Sequence, residues 1–91
     1  LHDPGTTDAS VDLLASLVPP GGRLLELAIG TGRVALPLAA IGFAVSGVEA
    51  SPLMVAKLRE KPGGAALPVT IGDMAEVQVQ GPFDLVFLIF N

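Results

Sequence analysis

Apolar and polar positions change period several times along this chain, and each change marks an element. Val11, Leu14, Leu17 and Val18 recur at helical spacing behind the N-cap candidates Thr6, Thr7 and Asp8, which predicts a helix over 8–18. Pro19-Pro20-Gly21-Gly22 stops it. Residues 23–29, apolar except for Arg23 and Glu26, read as a first strand. A helix is expected from about Gly32 to Ile41, with Pro37 inside it to kink or restart it. "FAVSGVE" (43–49) reads as a second strand, and Ser51-Pro52 as an N-cap followed by proline at the first helical position. Gly63-Gly64 closes that helix, "ALPVTIG" (66–72) is a third strand and "FDLVFLIF" (83–90) a fourth.

An initial helix followed by the order βαβαββ predicts an α/β fold. The expected form is a Rossmann-like, doubly wound parallel sheet in a single domain over 1–91. Leu85 to Phe90 is an unbroken apolar run, the pattern of a strand covered on both faces. In a 3-2-1-4 strand order that strand stands at an edge, a position natural sheets protect. The domain is therefore expected to be truncated after its fourth strand, or to form a homodimer through strand 83–90.

The chemistry concentrates in "ELAIGTGR" (26–33), which can be parsed in two ways. Gly30-x-Gly32-x-x-Ala35 fits the dinucleotide fingerprint G-x-G-x-x-G/A of NAD-type domains. Glu26-x-Ala28-x-Gly30-x-Gly32 fits an acid followed by three small-residue positions two apart. In the first parse Glu26 lies within an apolar strand, where an unpaired carboxylate is costly. In the second it stands at the strand's carboxyl end, beside the ligand crevice of an open α/β sheet.

Glu49 ends the second strand, where an acid can take both hydroxyls of a ribose; either parse accepts it. Asp73, in "IGDM", ends the third strand and could accept a hydrogen bond from an adenine amino group, with the Met74 amide donating to a ring nitrogen. Met54 could pack on the adenine face, although core packing is the commoner use of such a residue.

Composition narrows the field. With 51% hydrophobic residues, 15% charged and a net charge of −4, the chain lacks the basic footprint of a nucleic-acid binder. No apolar run approaches the ~20 residues of a membrane span. The absence of cysteine rules out disulfides, thiolate nucleophiles and zinc–cysteine sites, and fits a cytoplasmic protein. His2 is the single histidine, so neither a metal site nor histidine catalysis is expected. Arg33 could touch a ligand carboxylate or simply serve at the surface, Asp84 reads as a turn or strand cap, and Asp12, Glu60 and Glu76 as solvated faces.

"LLELAIGTGRVALPLA", "VSGVEASPLMVAKLRE" and "VTIGDMAE…FDLVFLIFN" together resemble the successive motifs of class I S-adenosylmethionine-dependent methyltransferases, over residues 23–91. The resemblance implies that Glu26, Ala28, Gly30 and Gly32 wrap the methionine part of S-adenosyl-L-methionine, with Thr31 contributing its backbone. It places Glu49, followed by Ala50, at the ribose, and Asp73 and Met74 at the adenine. Phe90 and Asn91 would line the cofactor and substrate crevice. It implies in-line methyl transfer to a small-molecule acceptor, with any general base beyond Asn91 and this chain inactive alone. Ala28 replaces the family's commonest glycine and should demand an ordinary backbone conformation. An NAD-type oxidoreductase domain and a non-catalytic Rossmann-like binding or dimerisation domain remain the alternatives.

Overall fold

The computed structural model describes residues 4–89, with side chains from Ala9 onward. The elements are α1 (Pro4–Ser16), β1 (Arg23–Leu27), α2 (Ala35–Ala40), β2 (Ala44–Glu49) and α3 (Pro52–Glu60). A 3₁₀ turn (Gly64–Ala66), β3 (Val69–Ile71) and β4 (Leu85–Phe87) follow. All strand pairs are parallel, in the order β3-β2-β1-β4. The expected α/β parallel sheet is therefore the observed one.

Register explains where the core forms. Leu24 lies beside Val45 and Leu85, and Glu26 beside Gly47 and Phe87. Neighbours across a ladder share a face, so these residues point the same way. Against that face pack Val11 and Leu14 of α1, Leu38 of α2 and Leu58 of α3, forming one cluster with Leu24 and Val45. Right-handed crossovers from β1 to β2 and from β2 to β3 both move in one direction, which brings α2 and α3 to the same side. Gly47 is required within β2: a Cβ there would stand 2.4 Å from Ile29 Cδ1, because Ile29 lies across the strand.

Several element ends differ from the expected ones, each for a local reason. Helix α1 runs from Pro4 to Ser16 rather than over 8–18, so Thr6, Thr7 and Asp8 lie within it instead of capping it. Proline suits a first helical position, and Val18 precedes Pro19, which disfavours helical dihedrals there. Val18 is buried nonetheless. Helix α2 begins at Ala35 rather than Gly32, because Gly32 holds φ at +80°. Pro37 then falls in the first turn, where a helix requires no intrahelical N–H bond, and causes no mid-helix break.

Strand β1 ends at Leu27 because Ala28 leaves the extended region. Strand β3 is confined to Val69–Ile71 by the preceding 3₁₀ turn and Pro68. The Arg59 guanidinium holds that turn by donating to the carbonyls of Gly64 and Leu67, at 2.6 and 2.5 Å.

Strand β4 spans Leu85–Phe87 rather than 83–90, since only Leu24–Glu26 of β1 face it. Val86 is 51% exposed and its neighbours are half-buried, so the expected coverage on both faces is not observed. Phe90 and Asn91 lie outside the described residues. Asp84 starts the strand, as expected, by exchanging hydrogen bonds with the Arg23 backbone, both 2.8 Å. Among the described residues no helix is long and apolar enough to cross a membrane.

A candidate cofactor cleft at the carboxyl ends of the strands

Beyond β1 the chain turns through Ala28, Gly30 and Gly32, all at positive φ (54°, 62° and 80°). Ala28 thus contradicts the expectation of an ordinary conformation, and an L-residue there costs roughly 1–2 kcal/mol. The turn carries the loop over the top of β2. There the Ile29 N–H donates to the Val48 carbonyl at 2.9 Å, while the Ile29 side chain seats on Gly47. Gly30 faces open space, so a ligand can approach its backbone. A Cβ on Gly32 would meet Leu36 at 3.0 Å and Leu58 at 3.2 Å; this glycine permits close packing and lines neither cavity described next.

Two hollows meet at Ala28, at the carboxyl ends of the strands. The one that Glu26 lines has about 180 Å³. It is lined by Glu26, Ala28, Ile29, Gly30, Thr31, Arg33, Val34, Met54 and Ile89. The other, about 280 Å³, is lined by Ala28, Val48, Glu49, Ala50, Asp73 and Met74. The pair lies where strand order reverses about β1, the usual ligand crevice of such sheets. A larger hollow of about 370 Å³ lies by the amino ends of β1 and β2, around Arg23, Phe43 and Pro68. None of the predicted site residues lines it.

Nine of the predicted site residues therefore come together along one cleft: Glu26, Ala28, Gly30, Thr31, Glu49, Ala50, Met54, Asp73 and Met74. Met54 lines the Glu26 cavity rather than the one that holds Asp73 and Met74. Helix α3 starts at Pro52, three residues after Glu49, and Met54 in its first turn borders the same cavity as the glycine loop. Arg33 lines the cleft as well. The apolar wall residues Ile29, Val34, Val48 and Ile89 went unnoticed, because apolar residues near strand ends read as core.

Glu49 is already engaged. Its Oε1 accepts from the Gly30 N–H at 2.7 Å and its Oε2 from the Ser51 N–H at 3.0 Å. Ser51 Oγ in turn caps α3 by accepting from the Met54 N–H at 3.2 Å. Each carboxylate oxygen retains a further acceptor position, so ligand hydroxyls could be added without displacing these bonds. The Glu49 carbonyl accepts from the Gly72 N–H at 3.0 Å, which draws the end of β3 into the same network. Asp73 is exposed, and its Oδ1 accepts from the Ala75 N–H at 2.8 Å in a tight side-chain turn.

Glu26 is the opposite case. It is 5% exposed, and its Oε1 has no hydrogen-bond partner among the described residues. Burial pushes its carboxyl up from 4.5 to about 7, with the positive charge of Arg33 pulling in the other direction.

Residues 24–91 match the family profile described as a methyltransferase domain. The chain belongs to the S-adenosylmethionine-dependent methyltransferase family. Among solved methyltransferases, CcbJ from Streptomyces caelestis superposes with a TM-score of 0.83 at 36% identity, covering 97% of this chain and 37% of that one. Magnesium protoporphyrin IX methyltransferase (ChlM) from Synechocystis PCC 6803, solved with bound SAM, gives 0.75 at 26% identity, covering 92% and 42%. The 23S rRNA (uracil(1939)-C(5))-methyltransferase RlmD of Shewanella sp. (strain ANA-3) is 51% identical over 41 residues, 45% of this chain and 9% of that protein. This methyltransferase chain spans less than half the length of each of the three. Membership decides between the two parses of the glycine loop in favour of the one that starts at Glu26.

Because the folded-state value of Glu26 is raised, its contribution to stability is present below about pH 4.5 and lost as pH rises through about 7. Glu26→Gln should therefore stabilise the ligand-free methyltransferase domain at pH 8, by up to roughly 3 kcal/mol, and change little at pH 5. Urea midpoints at the two pH values check this; equal effects at both would contradict it.

Proposed function

We propose that this protein transfers the methyl group of S-adenosylmethionine to a small-molecule acceptor. The observation that carries the cofactor reading is the cleft itself: a buried carboxyl whose Oε1 has no partner among the described residues at one end, a latched acid at its centre and an exposed acid at the other. These groups fit the cofactor's parts. Glu26 would hold the ammonium of the methionine portion, against the open backbone of Gly30. Glu49, joined by Ala50, would take the ribose hydroxyls on its remaining lone pairs. Asp73 and the Met74 amide would meet the adenine edge, with Val48 and Met74 as apolar cover.

The cofactor supplies a sulfonium-bound methyl group, displaced in line by the acceptor. The chain's own share is to orient and to exclude water, through the walls formed by Ile29, Val34, Met54 and Ile89. No residue among those described is assigned as general base, and Phe90 keeps its proposed place in the crevice on family resemblance alone.

A small acceptor is supported by the net charge of −4 and by the porphyrin substrate in the name of ChlM. The match to the ribosomal-RNA enzyme covers 41 residues, 9% of that protein, so it does not favour an RNA acceptor here. The lack of cysteine supports a cytoplasmic setting.

The test is calorimetric titration with S-adenosylhomocysteine, with NAD in parallel. Saturable binding of the first and silence from the second are expected. Glu49→Ala and Asp73→Ala should each weaken binding about 10–100-fold, the range for a lost hydrogen bond to a charged group. Binding of NAD alone, or of neither compound, would overturn the reading.

A homodimer through β4 belongs to the same proposal, because that strand pairs only with β1 among the described residues and exposes Val86. Light scattering should give twice the chain mass, reverting to the monomer value for Val86→Lys. A monomer at all concentrations would dismiss it.

A further inference from the structure

Glu26 is the one charged-type side chain buried among the described residues. Its surroundings leave it without help. The Gly30 amide of the same loop is committed to Glu49, and Oε1 finds no donor among the described residues. Ile29, Val34 and Ile89 make apolar walls around the cavity it lines. Of the elements facing it, the glycine loop contributes the charge of Arg33, while α3 and the segment after β4 contribute Met54 and Ile89, which do not ionise. The other acid of the cleft, Glu49 at the end of β2, turns both its oxygens to backbone amides. A buried carboxylate in such a place lacks the compensating bonds that ionisation requires, whereas the neutral acid does not need them.

We propose that Glu26 takes up its ligand by proton exchange: the ligand-free protein holds the neutral acid, and seating a primary ammonium against it expels the proton to solvent. The inference rests on the cofactor reading above and adds a proton to it. In this step the carboxyl O–H bond breaks and the proton passes to water. The ammonium keeps its three protons, and a carboxylate–ammonium pair remains. The upward shift of Glu26 to about 7 agrees with this and sets the range in which it matters. Below that value each bound cofactor must displace close to one proton, so affinity should rise about tenfold between pH 6 and pH 8 and level off above. Cofactor occupancy would then fall when the surroundings acidify.

The experiment is calorimetry with S-adenosylhomocysteine at about pH 6.5 in two buffers of different ionisation enthalpy, which counts the protons released. Roughly 0.8 proton per ligand is expected from a group titrating near 7. Methylthioadenosine, which lacks the amino-acid end, should bind with no proton released. Glu26→Gln should bind S-adenosylhomocysteine with no proton released and with an affinity that is flat across pH 6–8. Binding without proton release in the unaltered protein, or release that persists in Glu26→Gln, would overturn the proton exchange and leave the cofactor reading standing. Failure of S-adenosylhomocysteine to bind at any pH would end both.

Discussion

The cleft depends on one carboxylate. Glu49 stands at the end of β2 and joins three separate pieces of chain: the glycine loop through Gly30, the start of α3 through Ser51, and, by its carbonyl, the end of β3 through Gly72. Hydrogen bonds to a charged acceptor contribute about 1.5–3 kcal/mol each, a large share of the stability of so small a domain. The bond to Gly30 also explains why the loop can tolerate Ala28 at φ +54°, a conformation that an L-residue keeps only when its neighbours hold it there.

Two acids in one cleft therefore have different duties because their surroundings differ. Glu49 has its charge balanced by backbone donors and gives the site its shape before any ligand arrives. Glu26 has no donor for Oε1 among the described residues, and burial outweighs the nearby charge of Arg33 in shifting it upward. Pairs of titratable groups whose environments push them apart commonly divide the work of a site in this way. Ala28, shared by both hollows, marks the boundary between their territories.

Much of this was legible in the sequence, and the reasons can be named. Alternating strand and helix patterns led to the parallel sheet, and Ser51-Pro52 announced the start of α3, which the Ser51 cap bears out. Glu26, Glu49 and Asp73 stood out because acids at strand ends have few structural excuses, and the fold brings them to one edge. Element ends were less legible: α1 and α2 are bounded by proline and left-handed glycine geometry that propensity does not register. That Met54 lines the Glu26 cavity depends on where the first turn of α3 sits in the fold, which spacing does not give. The conformation of Ala28 was misread because the contacts that hold it, the Glu49–Gly30 bond and the Ile29–Val48 bond with Ile29 seated on Gly47, are long-range. The latch itself was invisible, since nothing in the spacing of Gly30 and Glu49 says that one bonds the other.

Amide hydrogen exchange in the ligand-free protein tests the latch most directly. The Gly30 and Ser51 amides should be protected in the unaltered chain and exchange at least tenfold faster in Glu49→Ala, while the Ile29 amide, bonded to Val48, stays protected. Protection at Gly30 that survives Glu49→Ala would contradict the account, because the loop would then be held by something other than this carboxylate.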